Sequence, residues 1–313
     1  MKEVKRAVLT FVVLFVIFCV FNFASARRVA DFGSTADILQ QVGRKLAFTT
    51  EQLEKGNMTN QVAADDYLEM INLLQSLYHQ GLNYSQFKSV LENMNNAVFA
   101  YYGCVYYYYK NGLIEVGERE QMILGSVALD MSELLKKAPA YIRGKASDTL
   151  KYAIPLLSDS PKVSAVKNEL KDILFSLTED SDYLSRFYAV KSLGQLAKSS
   201  FNSAEQDEIV EKISGLIDDK DMLVIGSVVQ TLGNVLSSVE INHLLYDEII
   251  SDLMNLYAQP LHYPVSNYLA DCLKVLAGDE PDKWREPLTE ILGRYHPIDR
   301  KSTLNYIFGD EKY

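Results

Sequence analysis

The chain has 313 residues, 23% of them charged and 48% hydrophobic, a balance that excludes disorder and collagen-like structure and suffices for one or two buried cores. Three cysteines are too few for a disulfide scaffold. The 31 Lys and Arg stand against 41 Asp and Glu, a formal charge of −10 that repels a phosphate backbone, so nucleic acid is not an expected partner.

Lys2, Lys5 and Arg6 precede an uncharged stretch over residues 7–26, apolar from 8 to 21, which closes on Ala24-Ser25-Ala26. Small residues there suit a signal peptidase, and residues 1–26 read as a secretory signal cleaved after Ala26. The alternative is an uncleaved anchor, because about 20 such residues cross ~30 Å of hydrocarbon. Under both readings the basic end stays in the cytoplasm and everything from Arg27 onward is exported, periplasmic or extracellular. Cys19 follows the bulky Phe18, which does not suit a lipid-attachment signal. Removing the leader leaves Cys104 and Cys272 in an oxidising compartment, where a pair would ordinarily bond. In an elongated stack, residues so far apart in sequence seldom bring their Cα atoms within ~7 Å, so two separate buried thiols are expected.

Residues 27–138 read as an N-terminal helical region, with apolar faces over 38–48, 67–77, 87–109 and 122–135. Turns fall at Lys55-Gly56-Asn57, Gln80-Gly81 and Asn111-Gly112. No internal period survives here, and the region is expected to cap the open end of the stack that follows. Six of the 20 tyrosines crowd into residues 101–109. On a helix Val98, Tyr101, Val105 and Tyr108 form one stripe and Tyr102, Tyr106 and Tyr109 the next, more ring surface than one core face requires. The extra rings either pack on the first repeat or form a partner-binding patch of Tyr102, Tyr106, Tyr107 and Tyr109; a weaker alternative is stacking on sugar rings. Asn57-Met58-Thr59 and Asn83-Tyr84-Ser85 are glycosylation acceptors only in a eukaryotic source.

All eight prolines lie from Pro139 onward, and here the chain repeats. Leu174, Leu177, Asp182, Leu193 and Gly194 recur 39 residues later as Ile213, Leu216, Asp221, Leu232 and Gly233. With a spacing of 41, Ile213, Leu216, Leu232 and Val235 return as Met254, Tyr257, Leu273 and Leu276. Each unit holds an apolar stripe, a polar turn and a second stripe, the pattern of a helical hairpin. The aspartate stands where a carboxylate can cap the second helix. Gly194 and Gly233 fall inside that helix at a cost of about 1 kcal/mol, which close approach by a neighbouring helix would offset. Pro155 and Pro287 are expected to bend helices, whereas Pro161, Pro264 and Pro281 suit helix starts.

A period near 40 with two helices per unit resembles the HEAT and armadillo class of α-solenoid. The best match runs from Leu177 through Asp180, Asp182 and Arg186 to Ala189-Val190 and Leu193-Gly194. The next unit keeps Asp219, Asp221 and Leu232-Gly233 but has Ile225 in place of the Arg, so the ladder of Asp and Arg that the resemblance implies should break there. The unit at residues 257–276 is weaker still. The resemblance covers residues 139–308, leaves 309–313 as a tail, and implies an all-α superhelix that binds protein.

Chemistry-bearing patterns are sparse. His79, His243, His262 and His296 stand singly, without metal-ligand spacing. The acidic runs at 179–182 and 218–221 are too short for a calcium loop and read as turns and caps. Ser85-Gln86-Phe87-Lys88 and Ser164-Ala165-Val166-Lys167 fit Ser-x-x-Lys, but the companion motifs of penicillin-interacting enzymes are missing. Nucleophile elbows, phosphate loops and dinucleotide turns are likewise missing from the sequence. The expectation is an exported, non-enzymatic protein-binding scaffold without metal or cofactor. Its exposed second-helix positions Tyr188, Lys191, Gln195, Gln230 and Asn234, then the tyrosine cluster, are the candidate contacts. The rivals are a membrane-tethered assembly factor and an envelope enzyme with dispersed catalytic residues.

Overall fold

A computed structural model describes residues 34–157, 160–199, 202–257, 263–278, 281–292 and 297–308. The leader, its cleavage point and Cys19, together with His262, His296 and the tail at 309–313, lie outside the described residues. Every regular element described is helical. None of the described helices is long and apolar enough to cross a membrane.

The chain divides into two compact units, Met1–Ile123 and Leu124–Tyr313. In the first, α1 (Thr35–Glu54), α2 (Asn60–Tyr78) and α3 (Tyr84–Lys110) pack on one another. Ser34, Thr59 and Asn83 cap them through their side-chain oxygens. Gly56 and Gly112 close the turns after α1 and α3 at φ 70° and 65°, conformations open to glycine but strained for other residues. The core draws on Ile38, Tyr67, Ile71, Leu74, Leu91, Met94 and Val98.

Helix α4 (Glu118–Lys137) begins in the first unit and ends in the second. The second unit continues with α5 (Ala140–Ala153), α6 (Pro161–Thr178), α7 (Tyr183–Lys198), α8 (Ser203–Ser214) and α9 (Met222–Leu236), then α10 (His243–Tyr257), α11 (Tyr263–Ala277), α12 (Pro281–Leu292) and α13 (Pro297–Phe308). Each even helix pairs with the odd helix after it from α6 onward, and the odd helices pack in sequence, α5 on α7, α7 on α9, α9 on α11 and α11 on α13. This is an α-solenoid: a row of hairpins, each covering the apolar side of the next. Both stripes foreseen for the unit at 209–235 are in the core, with Ile209, Ile213, Val228, Val229, Leu232 and Val235 all buried.

Two proline expectations resolve differently. Pro161, Pro264 and Pro281 stand in the first turns of α6, α11 and α12, and Pro287 lies inside α12. Pro155 does not bend a helix. It has no N–H to offer the carbonyl four residues back, so α5 stops at Ala153 and Ile154–Leu156 tightens into a 3₁₀ turn. Cys104 and Cys272 are both free and buried, as expected.

Candidate functional site

The layer of odd helices is drawn together by small residues and pinned by charge. A Cβ added to Gly194 would stand 2.3 Å from Thr231 Cγ2 on α9, and one on Gly233 would stand 2.9 Å from Cys272 Sγ on α11. Glycine is therefore what allows these helices to approach, the compensation expected for its helix cost. Asp182 and Asp221 cap α7 and α9 by accepting from the N–H groups of Leu184 and Leu223, at 3.0 and 2.9 Å. Asp180 and Asp219 in turn accept from the N–H groups of Asp182 and Asp221, both at 2.8 Å. The paired acids are turn and cap residues.

Charge links successive hairpins through arginine. Arg186 donates to both oxygens of Asp219, at 2.7 and 2.8 Å, and its remaining nitrogen reaches the carbonyls of Asp180 and Ser181. Both partners are almost wholly buried. Burial works against the Asp219 carboxylate, but the bonds from Arg186 and the Asp221 N–H outweigh it and hold the carboxyl below the usual range. One step earlier in the odd-helix layer, Arg143 on α5 meets Asp182 and donates to Ser185 Oγ at 3.1 Å. That rung was not read from the sequence, because the segment around Arg143 was not aligned with the repeats that follow it. The ladder ends where expected, at the buried Ile225.

On this layer α5, α7 and α9 enclose a groove of about 300 Å³. Its rim carries Asp148 and Lys151 from α5, Lys191, Gln195 and Lys198 from α7, and Gln230 and Asn234 from α9. Four of the five second-helix candidates thus converge on one cavity. Small side chains give it depth: Ser147, Ser192, Gly194 and Thr231 line it and are buried. Sequence reasoning missed Lys151 and Ser147, because α5 was not aligned with the helices that follow it, and it also passed over Lys198, Ser192 and Thr231 on the aligned helices α7 and α9. Ser192 is 2% exposed and its hydroxyl has no hydrogen-bond partner, an arrangement that costs about 1–3 kcal/mol when left unmet. The fifth candidate, Tyr188, does not line the cavity. It is half-buried, its hydroxyl lies 3.2 Å from where a Cβ on Gly144 would be, and burial raises its pKa.

The tyrosine cluster is graded. Tyr101 is 4% exposed, with Val98, Cys104 and Val105 buried beside it. Tyr102 and Tyr106 are half-buried and stacked, their ring centroids 4.4 Å apart. Tyr109 is half-buried. Tyr107 is 67% exposed and meets Tyr108 edge-on, while Tyr108 accepts from Asn60 at 3.2 Å.

The first unit holds a larger cleft of about 740 Å³, unforeseen from sequence, lined by Lys45, Asp65, Glu69, Arg119 and Glu120 over Val42, Leu68 and Ile123. Burial opposes the Lys45 charge, but bonds to Asp66 and Glu69 outweigh it and raise its pKa. The amine is held protonated, the reverse of what a nucleophilic lysine needs. In the second Ser-x-x-Lys pattern Lys167 is wholly buried, while in the first Lys88 pairs with Glu92 one turn away. Among the described residues no group of three or more potential metal ligands gathers.

Solved structures similar to this chain include a designed armadillo repeat protein in complex with the peptide (KR)4. It is 15% identical, with a TM-score of 0.45 over 78% of this chain and 98% of that one. Computationally designed armadillo repeat proteins for modular peptide recognition are 14% identical, with a TM-score of 0.43 over 78% and 98%. No family model matches the chain. None of the curated proteins matches it either.

Proposed function

We propose that the protein is an exported, non-enzymatic scaffold that holds a partner protein in the groove of the odd helices. The observation that carries this is the convergence of Lys191, Gln195, Gln230 and Asn234, from two successive hairpins, on one cavity with a small-residue floor. Long polar side chains around a deep floor can follow an extended chain by hydrogen bonding, without moving a bond. Export rests on the basic, apolar and small-residue succession of residues 1–26. The length of the uncharged run favours one second reading, an assembly factor tethered by an uncleaved anchor. N-terminal sequencing separates the two: a start at Arg27 means cleavage, and a start at Met1 means a tether.

The test of binding is affinity capture with chemical cross-linking from the native source, wild type against a Gln195→Ala, Gln230→Ala, Asn234→Ala triple variant. The scaffold reading expects one specific partner to be lost from the variant. Retention of every captured protein would sink the groove, and a parallel Tyr106→Ser, Tyr107→Ser variant asks whether the aromatic cluster is the contact instead.

A further inference from the structure

The groove runs against the charge of the protein that contains it. The chain carries −10, yet three lysines and a single carboxylate, Asp148, line this cavity. Among the described residues neither Lys151 nor Lys191 has an ion-pair partner; their ammonium groups lie over the Tyr152 and Phe187 rings, 5.3 and 5.0 Å from the centroids. Other lysines of the second unit are spent on structure, Lys171 on Glu208 and Lys212 on Glu179. Ser192 lines the same cavity, and its buried hydroxyl, without a hydrogen-bond partner, is a donor left unused.

Resting on the scaffold reading above, we infer that the occupant is an acidic, extended segment of the partner, its carboxylates meeting Lys151 and Lys191 and an oxygen accepting from Ser192. The spacing suits a peptide. Packed helices stand about 8–10 Å apart, and an extended chain advances about 3.3 Å per residue, so acidic residues two or three apart reach lysines on neighbouring helices. The positive character is local: in the register of the repeat Gln230 is followed on α11 by Asp271, which accepts from Tyr306. The acidic part of the segment therefore lies at the α5 and α7 end. The net negative charge elsewhere disfavours a polynucleotide.

The experiment uses the full protein and fluorescein-labelled octapeptides of alternating Glu and Ser, Gln and Ser, or Lys and Ser, with a 15-nucleotide oligothymidine as a fourth probe, read by anisotropy at low and high salt. The Glu peptide is expected to bind at least about tenfold tighter than the Gln peptide and to weaken as salt rises. Lys151→Glu with Lys191→Glu abolishes that preference, and both sites are exposed, so folding is unaffected. Ser192→Ala weakens the Glu peptide and, by removing a buried hydroxyl without a partner, raises rather than lowers thermal stability. Equal binding of the Glu and Gln peptides, indifference to the double variant, or preference for the oligonucleotide overturns the inference. Peptides that bind without regard to charge yet are lost in the Gln195, Gln230 and Asn234 variant refute the acidic occupant while leaving the scaffold reading standing. An acidic peptide that binds that triple variant and the double lysine variant unchanged overturns both.

Discussion

Gly194→Ala is the sharpest probe of how the odd helices stack. The new methyl would lie 2.3 Å from Thr231 Cγ2, well inside van der Waals contact, with Thr231 Cβ at 3.6 Å and Val235 Cγ2 at 3.7 Å behind it. Overpacking a filled core costs about 1–3 kcal/mol, and alanine returns up to about 1 kcal/mol of helix propensity, leaving a net loss of about 1–2 kcal/mol. Because the clash is with a single methyl, Thr231→Ser should relieve it. The pair is expected to couple, with the double variant more stable than the sum of the singles predicts by about 1 kcal/mol or more. Gly103→Ala in α3, where nothing stands within 4 Å of the new methyl, is the control and should stabilise by about 0.5–1 kcal/mol. Urea unfolding followed through Trp284, the one tryptophan and a residue of the second unit, reads the Gly194 series; helicity by circular dichroism reads Gly103→Ala. Gly194→Ala as stable as wild type, or additivity with Thr231→Ser, would refute the close approach of α7 and α9.

Other outcomes follow from the same geometry. Arg186→Met leaves Asp219 buried without its partner and should cost about 3–5 kcal/mol, much of it recovered when Asp219→Leu is added; a loss below about 1 kcal/mol in urea unfolding would contradict the buried pair. Asp182 and Asp219 have folded pKa values below their usual range, so their stabilisation is complete above the unfolded value of about 3.9 and is lost as pH falls through the folded values. Asp219→Asn should therefore flatten the acid limb of the second unit's stability curve, and an unchanged slope would count against it. Burial pushes the Cys104 thiol up to about 11 and that of Cys272 up to about 12, so neither should react with Ellman's reagent at pH 8 until urea is added. Two thiols should then titrate if the leader has been removed and three if Cys19 is retained, whereas none in the first case or one in the second would mean a disulfide. Asp221→Ala, which removes the cap of α9, should cost about 0.5–2 kcal/mol by the same unfolding assay.

The layered helices were legible because hairpin repeats write their core twice, as in Ile209 with Ile213 and Val228 with Leu232, and because Asp182 and Asp221 mark helix starts that only a capping carboxylate explains. The glycines spoke for the same reason: a residue that weakens a helix at the same place in consecutive repeats implies a neighbour pressed against it. What stayed hidden lacked that redundancy. Arg143 and Lys151 belong to α5, whose sequence has drifted from the odd helices that follow it, so the first rung of the arginine ladder and one side of the groove could not be aligned. The stop at Pro155 depended on a local choice between bending a helix and ending it, which periodicity does not report. The cleft beside Lys45 is assembled from α1, α2 and the start of α4, a meeting of distant segments that leaves no mark on any one of them.

The central claim is that the odd-helix groove of the second unit is where the protein holds its partner. A photo-reactive amino acid at Gln195, on the groove rim, compared with the same group at the exposed Glu211 on α8 and irradiated in the native source, tests it most directly. Adducts to one partner from position 195 and none from 211 are the predicted result; adducts from 211 alone, or from neither while a probe at Tyr107 cross-links efficiently, would contradict it.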